Sequence, residues 1–553
     1  MKKAILVLFV LTTSLFAQLS GTYTVGTGGD YATLKAACDA INASTINGDC
    51  TFYIISDLTE TVNVGLGKDP SPYTITFKPF TGTTPTITFT QVADNAGASG
   101  AWVIGVPNLT VTSASNYNLV STRNIVIDGS NTVNGTTRDL SINTQSGINS
   151  NTYPIRIFGD ADNITLKNLN VTANQSVSYA VLLTNRFFSP NNYVPDNVTV
   201  QNCNLTNTFG STGQALAISN SGTPTAFPTG IVFRDNLLTA RTRGIFLNYA
   251  GNTDIFGNEI HVNQTGTGSL SEGIMCNQIG DATTGGQTIN IYNNRIIELK
   301  SANTNSGTFG IIGIYAQSRG NYNIYNNFIT GIQNTSTGTP DGVYYGIGVA
   351  TSATNGITAN VYNNTVVATD LTNLTTATAL VYSAFYLNIS GTSGTRVANV
   401  KNNLFIQNEN GFKCFTFKWF NTSTVTLTSD YNDLFASGTP IAKIGVAGTT
   451  EYDLLSNWQA GVLKDANSKS KAVNFVSSTD LHLTGASIGD NDLAGKYISS
   501  YTTDIDGDTR DLYYPYMGAD EQSTKLSLLA VDGDLSDASY MTLATKQNSN
   551  AGF

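Results

Sequence analysis

A short phrase returns along this chain in which apolar residues alternate with other residues and then meet a pair of asparagines. It reads Ile289-Asn-Ile-Tyr-Asn-Asn294, Tyr322-Asn-Ile-Tyr-Asn-Asn327, Ala359-Asn-Val-Tyr-Asn-Asn364 and Ala398-Asn-Val-Lys-Asn-Asn403. Weaker copies end at Leu169, Cys203, Asn236 and Asn258 upstream and at Asn432 downstream. Taking the second position of each pair as the register, the steps are 34, 33, 22, 36, 33, 37, 39 and 29 residues. A repeat of this length implies stacked supersecondary units, each burying its neighbour, rather than one folded globule.

The period inside each unit selects the kind of stack. Ile289, Ile291 and Ile296 alternate with polar residues as in a strand, and no helical stripe separates the copies. A second strand-like run precedes each pair, as in Gly273-Ile-Met-Cys and Gly310-Ile-Ile-Gly-Ile-Tyr. Two or three short strands per coil with asparagine at the bend describe an all-β chain, a right-handed parallel β-helix. Asn tolerates the left-handed backbone region and its amide bonds locally. Stacked about 4.8 Å apart, the amides of Asn236, Asn258, Asn294, Asn327, Asn364, Asn403 and Asn432 are expected to form a ladder. The 22-residue step is close to a bare coil, so the longer ones carry loops.

With 10% aromatic and 12% charged residues, the composition is not that of a disordered chain. The formal charge is −10, and −10 − 2 = −12 without Lys2 and Lys3. That argues against a nucleic-acid partner, which needs a basic face. It suits a soluble surface protein or one that meets divalent cations. Met1-Lys-Lys, the apolar run Ala4–Leu15 and Ala17-Gln18 read as a secretory leader over residues 1–17. No later apolar run approaches the length of a membrane span. The expected location is secreted or on the outer surface of a bacterium, as a monomer. Of five cysteines, Cys38 and Cys50 are a candidate disulfide pair, while Cys203, Cys276 and Cys414 read as small buried hydrophobes.

The remaining organisation follows from pattern changes. Leu34, Ala37, Cys38 and Ile41 share one helical face, so a short helix is expected to cap the first coil. A cap and irregular coils occupy 18–160, regular coils 161–436 and a closing segment 437–523. Residues 524–553 read as a linker or the start of a truncated further domain.

Three sets of phrases resemble a known group. They are Tyr31-Ala-Thr-Leu34 with Asp57-Leu-Thr-Glu-Thr61, Asn124-Ile-Val-Ile-Asp-Gly129 with Gly135-Thr-Thr-Arg-Asp-Leu140, and Asp504-Ile-Asp-Gly-Asp-Thr-Arg510 with Met517-Gly-Ala-Asp-Glu521. The chain is similar to secreted right-handed β-helix repeat proteins of the pectin-lyase-like superfamily, of the kind found among type IX secretion cargo. The resemblance covers roughly residues 20 to 523. It implies the fold but not one activity, since that superfamily holds lyases, hydrolases, adhesins and proteins without chemistry.

Hydrolases of that fold carry an Arg-Ile-Lys phrase and clustered carboxylates, and this chain lacks the phrase and any Asp-Asp pair. For a lyase, with a calcium ion and an Arg or Lys base, the best set is Arg241, Arg243, Asp254, Glu259, His261 and Glu272. Arg241 and Arg243, two apart, are expected on one face of a strand. The bland reading of this set is a solvated face of ion pairs. His482, in the closing phrase, reads as structural.

Two positions before each register residue stand Lys167, Gln201, Arg234, Phe256, Tyr292, Tyr325, Tyr362, Lys401 and Asp430. The four aromatics are expected to face outward as a stripe, either a glycan-binding strip or a ladder that only strengthens the sheet. Loops 263–272, 299–309, 333–342 and 368–379 are expected to project from one edge. Asp504, Asp506 and Asp508 imitate a calcium loop without the full spacing, so calcium is weighed against a structural turn. The expected function is a non-catalytic surface scaffold or adhesin that binds polysaccharide. The alternative is a polysaccharide lyase or glycoside hydrolase working in a groove on the helix side.

Overall fold

The computed structural model describes residues 18–524 apart from 91–99, 108, 110–119, 146–152, 175–178, 186–192, 211, 221–225, 266–269, 281–286, 303–309, 318, 336–342, 352–355, 369–380, 391–393, 409–413, 421 and 438–441. Residues 1–17, read above as a leader, residues 525–553 and most of each once-per-coil loop lie outside the described residues.

The chain winds as a right-handed parallel β-helix with three sheets of 13 strands each. One coil shows the plan: Thr288–Tyr292 in sheet I, Arg295–Ser301 in sheet II and Ile311–Ala316 in sheet III. The column two residues before the register pairs in unbroken order, from Lys167 with Gln201 to Lys401 with Asp430. Each step of the repeat is therefore one turn of the helix. In the shortest coil Arg241 and Thr242 alone join Leu237–Ala240 of sheet II to Arg243–Ala250 of sheet III. The loops expected at 263–272, 299–309, 333–342 and 368–379 all fall at this same II-to-III corner, although 263–264, 271–272, 299–301, 333–334 and 368 belong to strands. The sheets run through residue 160 without a break.

The two asparagines of each phrase divide the work that sequence reasoning had assigned to one position. The first takes the left-handed bend, with φ of 54° at Asn293 and Asn326, 53° at Asn363 and 57° at Asn402. The second turns inward. Nδ2 of Asn258, Asn294, Asn327, Asn364 and Asn403 donates to Oδ1 of the next register Asn at 2.9–3.0 Å. That Oδ1 also accepts the backbone N–H of the same donor residue at 3.0–3.1 Å. The second amide hydrogen reaches a backbone carbonyl of the coil before, as from Asn327 to Ile291 at 2.9 Å. Asn236 enters the ladder by the same bond to Asn258, and its Oδ1 accepts the backbone N–H of Cys203. Ser468 and Asp465 end the ladder beyond Asn432.

Inward columns of Ile and Val fill the interior, and glycine makes room for them. Gly244, Gly273, Gly313 and Gly346 of sheet III face Ile260, Ile296, Ile329 and Val366 of sheet II. A Cβ at Gly313 would stand 2.6 Å from Ile329 Cγ2 and 2.4 Å from the Gly346 carbonyl oxygen.

Both ends are closed. Helix α1 (Leu34–Ala43) covers the first coil with the expected residues, Leu34, Ala37, Cys38 and Ile41, and is capped by Thr33. At the far end an antiparallel strand, Thr450–Tyr452, finishes sheet III, and α2 (Leu455–Val462) buries Trp458, whose Nε1 donates to Asp465 at 2.8 Å. All five cysteines are buried thiols outside any disulfide, so the candidate Cys38–Cys50 disulfide is not formed. Among the described residues no helix is long and apolar enough to cross a membrane.

The closing segment does more than cap. From Lys469 onward it runs back along the outside of the I–II corner as a strap over earlier coils. Ser478 O accepts from Thr330 Oγ1, Ala519 N–H donates to Thr365 Oγ1, and Lys496 exchanges two hydrogen bonds with the Asn402 amide. Two first asparagines of the pairs, Asn326 and Asn402, are thus among its docking points.

Two predictions follow from this packing. Asn327→Ala orphans buried groups on both neighbouring coils at about 1–3 kcal/mol each, so urea unfolding followed by circular dichroism should show a loss of at least about 2 kcal/mol. Asn323→Ala, in a half-exposed column, should cost under about 1 kcal/mol. Equal losses would contradict the ladder's role.

The second concerns Asp433, fully buried, with Oδ1 bonded to Lys471 N–H at 2.7 Å and Oδ2 unpartnered. Burial, opposed by that amide and reinforced by Asp490 and Asp492, pushes its pKa up to about 8. The fold favours the neutral acid, so its contribution is complete below about pH 4 and is lost progressively up to about pH 8. Asp433→Asn should flatten that part of the stability–pH curve, and an unchanged curve would refute the assignment.

Candidate functional site

On sheet I the aromatic column faces outward, but its geometry is that of a stack. Phe256 and Tyr292 lie 4.7 Å apart at 9°, and Tyr292 and Tyr325 lie 4.8 Å apart at 2°. Tyr501 of the strap then packs on Tyr325 at 4.4 Å and on Tyr362 at 5.3 Å. A sugar ring stacks on an open aromatic face. Here the faces are turned to one another or to Tyr501, and the edges are turned to solvent. Burial raises the phenol pKa of Tyr362 to about 12.

Beside this column runs a second, outer amide ladder that sequence reasoning missed. Asn290 donates to Asp254, Asn323 to Asn290, Asn360 to Asn323 and Asn399 to Asn360, at 2.7–2.9 Å. Its signal was present as the asparagine at the second place of each strong phrase.

The six residues weighed as a lyase site do not converge. Asp254 belongs to the outer ladder on sheet I. Arg241 and Arg243 do not share a strand face, because the II-to-III corner falls between them. Arg241 Nε donates to Gln264 Oε1 at 3.1 Å. Arg243 pairs with the buried Glu272 on sheet III, its guanidinium 4.7 Å over the Phe246 ring. Burial, against the pull of Arg243, raises the Glu272 pKa.

Of the six, His261 lines a cleft on the outer face of sheet II, and Glu259 stands beside it. Strand Glu259–Gln264 sets both outward, and the next coil brings Glu298 opposite His261 after a bulge. His261 Nε2 lies 2.9 Å from Glu259 Oε1, and Nδ1 lies 3.2 Å from Glu298 Oε2. Lys300 Nζ bonds the other Glu298 oxygen at 2.5 Å. That bond, aided by His261 and opposed by burial, holds the Glu298 carboxyl below its ordinary range. His261, Glu298 and Lys300 line a groove of about 300 Å³ together with Gln333, and Ser478 and Thr479 of the strap form its other wall.

The strap continues the polar band. Arg295 Nη2 lies 3.8 Å from Asp480, and its guanidinium is 5.7 Å from the Phe328 ring. His482 stands edge-on to Phe328 at 5.0 Å, with Nδ1 on Asp480 and Nε2 2.6 Å from Asp506. Burial opposes the charged ring, but Asp480 and Asp506 outweigh it and raise the His482 pKa above 6.5. The chain's two histidines therefore both lie on the outside of sheet II, each between two carboxylates.

The Asp504, Asp506 and Asp508 triplet forms a turn in which the three carboxylates part. Asp504 is buried and accepts the backbone N–H of Asp506, Asp508 and Glu521 at 2.8–2.9 Å. Asp506 turns to His482, and Asp508 is exposed. Nearby, buried Arg510 lies 3.5 Å from Glu521 and donates to Asn326 Oδ1, Tyr516 O and Gly518 O at 2.9–3.1 Å.

No protein-family model matches this chain, and no curated protein matches it.

Removing a partner from a buried ion pair costs about 3–5 kcal/mol. Arg510→Ala should therefore release the strap, read as rapid proteolysis between residues 469 and 524 while the β-helix core survives. A strap as resistant as in the parent chain would show that Arg510 does not hold it.

Proposed function

We propose that this protein is a secreted or cell-surface β-helix of the pectin-lyase-like kind, sorted like type IX secretion cargo. In this reading it is a non-catalytic scaffold that grips an extended polysaccharide. The observation that carries the reading is the sheet II groove. Its walls offer His261, Glu298, Lys300, Gln333, Ser478 and Thr479 as hydrogen-bonding groups at roughly strand spacing. Its charges are already neutralised by one another, which suits holding hydroxyl groups better than moving protons. The leader-like segment and the repetitive, acidic, elongated chain support an exported scaffold.

A second reading, a depolymerase, rests on the Glu259–His261–Glu298 array that opens on the same groove. Acid–base chemistry on a glycan needs a carboxylate or base within reach of the scissile bond.

One experiment separates the two. The protein is run over columns of immobilised acidic and neutral polysaccharides and incubated with each in solution, with and without calcium. The expected result is retention without product, weakened about tenfold by Lys300→Met with Gln333→Ala, equivalent to about 1.4 kcal/mol. Unsaturated uronate or new reducing ends that vanish in Glu298→Gln would establish the depolymerase instead. Retention unchanged by the groove variants but lost in Tyr292→Ala would move the site to the sheet I column.

A further inference from the structure

We propose that His482, Asp506 and Asp520 hold a divalent cation of the zinc class on the strap. One nitrogen of His482 and one oxygen of each aspartate lie within 4.8 Å of one another. A single ion with bonds of about 2 Å bridges such a set after small side-chain adjustment.

Each member is aimed by a further group. Asp480 bonds Nδ1 of His482, leaving Nε2 as the nitrogen that faces Asp506. This is the carboxylate–histidine–metal arrangement, in which the outer carboxylate orients the ring and strengthens it as a ligand. Asp520 is 4% exposed, and its Oδ2 accepts both the Leu483 N–H at 2.7 Å and the Gln522 amide at 2.6 Å. Its Oδ1 accepts no hydrogen bond from any described residue. Asp506 is held at the turn by its own N–H on Asp504 Oδ1 at 2.9 Å.

The charge balance points the same way. A buried carboxylate is stable only with a proton, a cation or a full set of donors. Among the described residues, no Lys or Arg forms an ion pair with Asp506 or Asp520, and His482 is shared between Asp480 and Asp506. Calcium takes about six to eight oxygen ligands, whereas an imidazole nitrogen with two carboxylates suits zinc and its neighbours. The ion would tie together three stretches of the strap, around residues 482, 506 and 520. The inference stands apart from the groove reading.

The test uses the full chain without an affinity tag, stripped with EDTA and titrated by calorimetry with zinc chloride and, separately, calcium chloride. The expected result is one zinc per chain and a higher thermal midpoint. Asp506→Asn should weaken zinc binding about tenfold or more, and Asp508→Asn should leave it unchanged. Because His482→Ala also removes a strap contact, the half-exposed Asp506 variant decides. Absence of stoichiometric zinc, binding unaffected by Asp506→Asn, or preference for calcium would each overturn the proposal.

Discussion

A carboxamide buried between two coils has two donor hydrogens and two acceptor positions, and water reaches none of them. Among the register asparagines these positions are met by an amide in the neighbouring coil and by backbone groups one coil away. The arrangement is self-consistent only when every coil carries the amide at the same angle around the axis. Coil length can therefore vary from 22 to 39 residues while the register stays fixed. The variation falls at the two corners that flank sheet III, away from the bend between sheets I and II that carries the ladder. The outward columns of sheet I then follow without further specification, because residues two apart on a strand share a face.

The same bend supplies two functions from adjacent residues. Its second asparagine turns inward and fixes the stack. Its first, free of that duty and held in the left-handed region, offers an amide to the outside. Asn326 and Asn402 use it to bind the returning strap. The strap in turn covers Tyr325 and Tyr362 and builds one wall of the sheet II groove. What seemed a terminal closure therefore shapes the surface most suited to a ligand.

Charge placement underlies the proposed reading of this surface. Arg243 and Glu272 neutralise each other on sheet III, Asp254 accepts from a neighbouring amide on sheet I, His261 lies on sheet II and His482 on the strap that covers it. A groove whose ion pairs are internally satisfied presents hydrogen-bonding capacity with little displaced charge. That is the physical basis for the proposed glycan-holding scaffold.

The fold was legible because it rests on local pattern repeated many times. Alternation, the paired asparagines and the step lengths determined the β-helix, the ladder positions, the outward column and the buried face of α1. Each coil repeats the signal, so accidents in one copy average out. The outer ladder was equally local and was passed over only because its asparagine sits inside the strand phrase. The site was far less legible. Arg241 and Arg243 are two apart in sequence, yet a two-residue corner parts them. His261 meets Glu298, Tyr501 meets Tyr325, and Asp520 meets His482 only after the chain has wound a full turn or doubled back along the stack. Such contacts depend on where unlike segments come to rest against one another, which no period in the sequence encodes. Repetition determined the scaffold, and the non-repeating strap, docked by tertiary packing, decided the site.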